Sequence, residues 1–104
     1  MSNHEFDNEE ALWEALPDQE GRERAHLLIH IAGFRYHEDD YATGLAVSQE
    51  AASLYEAAGD LRGAGLALQE VARGLNGTCE HGEAIATLQR SIELLSKQIG
   101  RAHV

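Results

Sequence analysis

The sequence predicts an all-α protein: two antiparallel helix-turn-helix hairpins behind a short N-terminal helix, packed as a small α–α superhelix or bundle. Three observations carry this expectation. Apolar residues recur at three- and four-residue spacing through four segments, the pattern of one buried helix face. Nowhere do they alternate with the period of two that a half-buried strand needs. The second half of the chain also repeats the first at an offset of forty residues.

A first short helix is expected from Asp7, with Asp7 as N-cap and Glu10 as its capping-box partner. It would contribute Leu12, Trp13 and Leu16 to the core and stop at Pro17, the only proline. Asp18 is placed to begin the next helix, which runs over about 20–36 with Ala25, Leu28, Ile31 and Ala32 on one face. After a polar break at His37–Asp40, capped by Asp39 or Asp40, a helix over about 40–58 spaces Tyr41, Leu45, Ser48, Ala52 and Tyr55 by fours and threes. Gly59 supplies the left-handed residue that commonly ends a helix. The next helix, about 61–75, carries Leu61, Ala64, Leu68, Val71 and Leu75, and Asn76-Gly77-Thr78 breaks it. The last carries Ile85, Leu88, Ile92, Leu95 and Ile99 and is expected to stop at Gly100.

The repeat is read from matched pairs: Leu28 with Leu68, Ile31 with Val71, Ala32 with Ala72, Gly44 with Ala84, Leu45 with Ile85. Small residues at Ala32, Gly44, Ala72 and Ala84 let helix backbones approach, and bulky neighbours fill the groove as ridges. Gly33, Gly63, Gly65 and Gly74 each cost a helix roughly 1 kcal/mol against Ala unless they serve the same close approach. The 104 residues thus divide into an acidic leader with a capping helix (1–20) and two repeats (about 21–60 and 61–100) of a single domain.

Charge narrows the partners. The net charge of −10 is concentrated in residues 1–20, which hold seven acids and no Lys or Arg; the body is nearly balanced. Such a surface suits neither nucleic acid nor an anionic membrane. No apolar run reaches the length of a membrane span, and the lone Cys79 has no disulfide partner, so a cytoplasmic protein is expected.

In these residues the chain resembles the tetratricopeptide repeat family. Leu28 with Ile31-Ala32, and Leu68 with Val71-Ala72, look like its first-helix pattern. Asp40-Tyr41-Ala42-Thr43-Gly44-Leu45 and Glu80-His81-Gly82-Glu83-Ala84-Ile85 are similar to its second-helix opening, and Tyr55-Glu56-Ala57-Ala58-Gly59-Asp60 to its closing. The likeness covers about residues 24–101. Its forty-residue period is that of the family's longer variant, common in bacterial regulators. Arg35 stands where an aromatic is usual and Ser48 where a large apolar residue is usual, and no proline closes either repeat.

The resemblance implies a protein-interaction or adaptor module without catalytic activity, binding a peptide or protein in a groove lined by the first helix of each hairpin. Carried over by position, that groove holds His26, Ile29, His30, Gly33, Tyr36 and His37, then Leu66, Gln69, Glu70, Arg73 and Asn76. A ligand- or peptide-sensing regulatory domain is the alternative. Because each hairpin exposes an apolar side that a neighbour must cover, three arrangements are open: a longer array, a partner copy over one end, or a closed bundle. The stripe of the last helix either supplies a homo-oligomer contact or belongs to the internal core.

Other chemistry has weaker support. His26 and His30 share the four-residue spacing of a zinc helix, with His37 following, so these three are the candidate metal ligands. Leu27 stands where a metalloprotease needs its Glu base, and His37 falls one residue beyond a third ligand; no metal is expected. Ordinary imidazoles titrate near ~6.5, which would make binding at this face pH-sensitive. Cys79 has only His81 nearby to activate it. No phosphate cradle, nucleophile elbow or paired-carboxylate motif occurs, so no cofactor is expected.

Overall fold

A computed structural model describes residues 8–102. It is all-α: α1 (Glu9–Ala15), a 3-10 turn (Leu16–Asp18), α2 (Gly21–His37), α3 (Tyr41–Ala57), α4 (Leu61–Gly77) and α5 (His81–Ala102), with no strand among the described residues. Each long helix packs on the next in sequence, so α2–α3 and α4–α5 form the two hairpins and α3 packs on α4 between them. No helix among the described residues is long and apolar enough to cross a membrane.

One turn is used three times. Asp39, Gly59 and Cys79 adopt φ of 61°, 73° and 65°, twenty residues apart. Behind each, the following amide donates to a carbonyl five residues back: Asp40 to Arg35 at 2.8 Å, Asp60 to Tyr55 at 2.9 Å, Glu80 to Leu75 at 2.7 Å. These bonds satisfy helix-end carbonyls in the Schellman manner. The same residues open the next helix. Asp40 Oδ1 accepts from the Thr43 amide and Asp60 Oδ1 from the Gly63 amide, each cap worth about 1 kcal/mol. Joining an end and a start in three residues forces adjacent helices antiparallel.

The N-terminus departs from expectation. Asn8 is the N-cap of α1, accepting from the Ala11 amide, while Asp7 lies outside the described residues. Asp18 belongs to the 3-10 turn, and α2 starts after Glu20. Leu12 and Leu16 are buried, but Trp13 is 40 % exposed and its Nε1 donates to Glu9. Two arginines fasten this segment. Arg35 reaches Glu9 at 2.7 Å and Asp40 at 3.4 Å, and Arg24 reaches Glu50 and the Leu16 carbonyl. Half-exposed pairs contribute roughly 0–1 kcal/mol each, so burial of Leu12 and Leu16, about 1.5–3 kcal/mol apiece, dominates the docking of α1. Arg35 adds a charged contact from α2 to α1 beside that burial.

Glycines seat the bulky side chains of the core. A Cβ at Gly44 would strike the Tyr36 ring, one at Gly63 the Tyr55 ring and one at Gly77 the Tyr41 ring; one at Gly65 would lie 2.7 Å from Leu95. All three tyrosines thus rest on glycine. The cost of Gly63, Gly65 and Gly74 to their helices is matched by close approach, whereas Gly33 has open space beside it. Among the described residues the two buried serines, Ser48 and Ser91, are both hydrogen-bonded. Ser48 pairs with Tyr36, and Ser91 donates to the Gly65 carbonyl at 2.7 Å.

The last helix corrects one expectation and narrows another. It continues through Gly100 to Ala102, and Gly100 carries no positive φ. Its apolar stripe does not form the internal core. Ile85, Leu88, Ile92 and Ile99 are 59, 38, 64 and 59 % exposed, and α5 instead buries Ala84, Ser91 and Leu94.

Candidate partner-binding face

α2 and α4, the first helices of the two hairpins, touch each other, and seven of the expected groove residues line two separate hollows. Ile29, His30, Gly33, His37 and Glu70 line a shallow depression of about 430 Å³ together with Phe34, which the sequence pattern did not single out. His26 and Leu66 face a larger, mixed-charge hollow of about 710 Å³ at the opposite end of α2, with Arg22, Tyr55, Asp60 and Arg62.

Tyr36 is not available to a partner. The side chain is 2 % exposed, its hydroxyl donates to the Glu70 carbonyl at 2.6 Å and lies 3.2 Å from Ser48 Oγ. Burial pushes its pKa up, so the phenol stays protonated as a donor. One hydroxyl thereby ties α2, α3 and α4 together. Above the ring, the Arg73 guanidinium sits 4.9 Å from the centroid and 3.7 Å from the Glu70 carboxylate. A cation held over an aromatic face in this way is favourable.

Gln69, Arg73 and Asn76 are exposed and line neither hollow. The Asn76 Oδ1 lies 2.9 Å from His81 Nδ1, across the α4–α5 turn.

The histidines form a ladder on α2 and not a metal cage. His26 and His30 meet edge to face with centroids 4.8 Å apart. Burial, then the charge of His26, lowers the pKa of His30 and favours its neutral form. His37 stands seven residues further on, about 10 Å along the helix axis, too far to join them. Among the described residues no three His, Cys, Asp or Glu side chains gather in a way that could hold a metal ion. The lining of the 430 Å³ depression combines apolar Ile29 and Phe34 with the His30 and His37 imidazoles and the Glu70 carboxylate.

Phe34 escaped the sequence reading because it lies off the stripe of Ala25, Leu28, Ile31 and Ala32; it is half-buried against the edge of the core. Comparison with protein-family models, curated proteins and solved structures gives no match to this chain.

Proposed function

We propose that this chain is a tetratricopeptide-like interaction module that holds a peptide or partner protein against the α2/α4 face. It acts without catalysis of its own, in a reducing, cytoplasmic setting that fits the free Cys79. The observation that carries the reading is the depression beside Gly33. Its lining mixes apolar side chains with imidazole and carboxylate groups, and it has a glycine where a side chain would fill the space. A solvated surface helix gains nothing from a mid-helix glycine, which costs roughly 1 kcal/mol. An occupied groove does gain from the room it leaves.

Gly33→Leu tests this directly, because no atom lies within 4 Å of the added Cβ and the fold is expected to persist. Immobilised wild-type protein should retain a polypeptide from cell extract that the Gly33→Leu variant loses at least tenfold. Equal retention by a variant with unchanged circular dichroism would refute the groove.

A second reading, a small-molecule-sensing regulatory domain, is favoured by the 710 Å³ hollow, whose size suits a small ligand and whose lining carries both signs of charge. Mass spectrometry of what each immobilised variant retains separates the two, since a small molecule at that end would be found on wild type and on Gly33→Leu alike, whereas a polypeptide in the groove would be lost.

A further inference from the structure

The outer face of α5 repeats a face that is already covered elsewhere in the molecule. Shifted by forty residues, Ile85, Leu88, Ile92 and Leu95 correspond to Leu45, Ser48, Ala52 and Tyr55 of α3. On α3 this face is where α4 docks. Leu45 lies against Gly74, Tyr55 against Gly63, and Ser48 and Ala52 are buried. On α5 the equivalent positions are open and more apolar, with Leu88 and Ile92 in place of Ser48 and Ala52. Only Leu95 is partly enclosed, against Gly65. A contiguous exposed apolar patch of this kind marks an interaction surface.

We infer that a second copy of this chain covers the face, its α5 packed antiparallel on the first about a two-fold axis at Ile92. Positions 85, 88, 92, 95 and 99 alternate in steps of three and four, the seam of a pair of coiled helices. About the two-fold axis, Ile85 meets Ile99 of the second copy, Leu88 falls between its Leu95 and Ile99, and Ile92 meets Ile92.

Charge favours a like partner. The positions flanking the seam are Ala84, Gln89, Ser91, Ser96 and Gln98, none of them charged. Residues 81–100 hold two acids and two bases, so two α5 helices meet without the repulsion that a chain of net charge −10 would otherwise impose. The contact spans about four helical turns. It lies at the small end of specific interfaces, below roughly 1,200 Å² in total, so dimers are expected at micromolar concentrations.

Sedimentation equilibrium on the full chain from about 5 µM to 1 mM should show the mass rising to twice the monomer's. Ile92→Glu and Ile92→Lys should each raise the dissociation constant at least tenfold, and their equimolar mixture should restore dimers. Ile85→Glu mixed with Ile99→Lys should also dimerise, while Ile85→Glu mixed with Ile85→Lys should not. These residues are exposed, so circular dichroism is expected to be unchanged and to separate lost association from lost fold. A chain that stays monomeric throughout overturns the proposal, whatever else is then found on α5. Dimers that survive Ile92→Glu, or a mixture pattern matching parallel helices, overturn it as well. None of these variants touches the α2/α4 face, so this proposal and the groove reading stand or fall separately.

Discussion

At the end of α2 stand Arg35 and Tyr36; forty residues later, at the end of α4, stand Leu75 and Asn76. The backbone around the two pairs is the same, down to the left-handed residue three or four positions on. In the first hairpin the second member is buried and hydrogen-bonded, while the first reaches out to α1. In the second the first member is buried and the second lies exposed beside His81. The difference follows from neighbours. The first hairpin has α1 on one side and α4 on the other, so both residues have partners. The second has only the α3 side covered among the described residues. A shared backbone thus carries different interiors, set by how many faces need closing.

The sharpest way to break the comparison is Tyr36→Ala. It removes a buried ring and a hydroxyl shared by three helices, and should cost about 3–5 kcal/mol, much of the stability of a domain this size. Asn76→Ala, its counterpart, should change stability by less than about 0.5 kcal/mol. Urea unfolding of both variants checks the contrast, and similar losses would contradict it.

Glycine gives a smaller contrast of opposite sign. Gly44→Ala places a methyl on the Tyr36 ring and should destabilise by about 1–3 kcal/mol. Gly33→Ala meets nothing and should stabilise by about 0.5–1 kcal/mol. Thermal melts that move the same way for both would remove the distinction between a glycine under a ring and one beside open space.

The least expected effect concerns the side closed by α1. The Arg35 guanidinium beside Glu9 holds that carboxyl below the ordinary range near ~4.3. A carboxylate with a depressed folded-state value supports docking at every pH above that range, and the support is lost as pH falls through the lowered value. Trp13, the only tryptophan, donates to Glu9, so its fluorescence should stay flat down to about pH 5 and change below about pH 4. Glu9→Gln should abolish that transition; an acid transition unaffected by the substitution would detach α1 docking from this pair.

The helix order and the forty-residue repeat are legible in the residues because apolar spacing and small-residue pairs report burial by a neighbour in sequence. Boundaries of α2, α3 and α4 fall within two residues of expectation for the same reason. The turns are half hidden, since Gly59 announces a left-handed residue but Asp39 and Cys79 do not. The α5 stripe stays open in the sequence between an oligomer contact and internal core, because spacing cannot tell a face that meets α4 from one that meets solvent. Tyr36 fails as a groove residue for a three-dimensional reason. Its ring turns inward onto Gly44, a contact between helices that no single-helix pattern contains.

Helices that touch almost exclusively their successors also shape how this chain comes together and apart. Pairing neighbours across three-residue turns closes only short loops, the condition for assembly in microseconds to milliseconds. Loss of order can proceed one helix at a time, from whichever end has the fewest supports. In an isolated copy that end is α5, which packs on α4 and reaches α3 only through the exposed Arg90–Glu56 ion pair, so its amides would exchange with solvent sooner than those of α3, clasped from both sides.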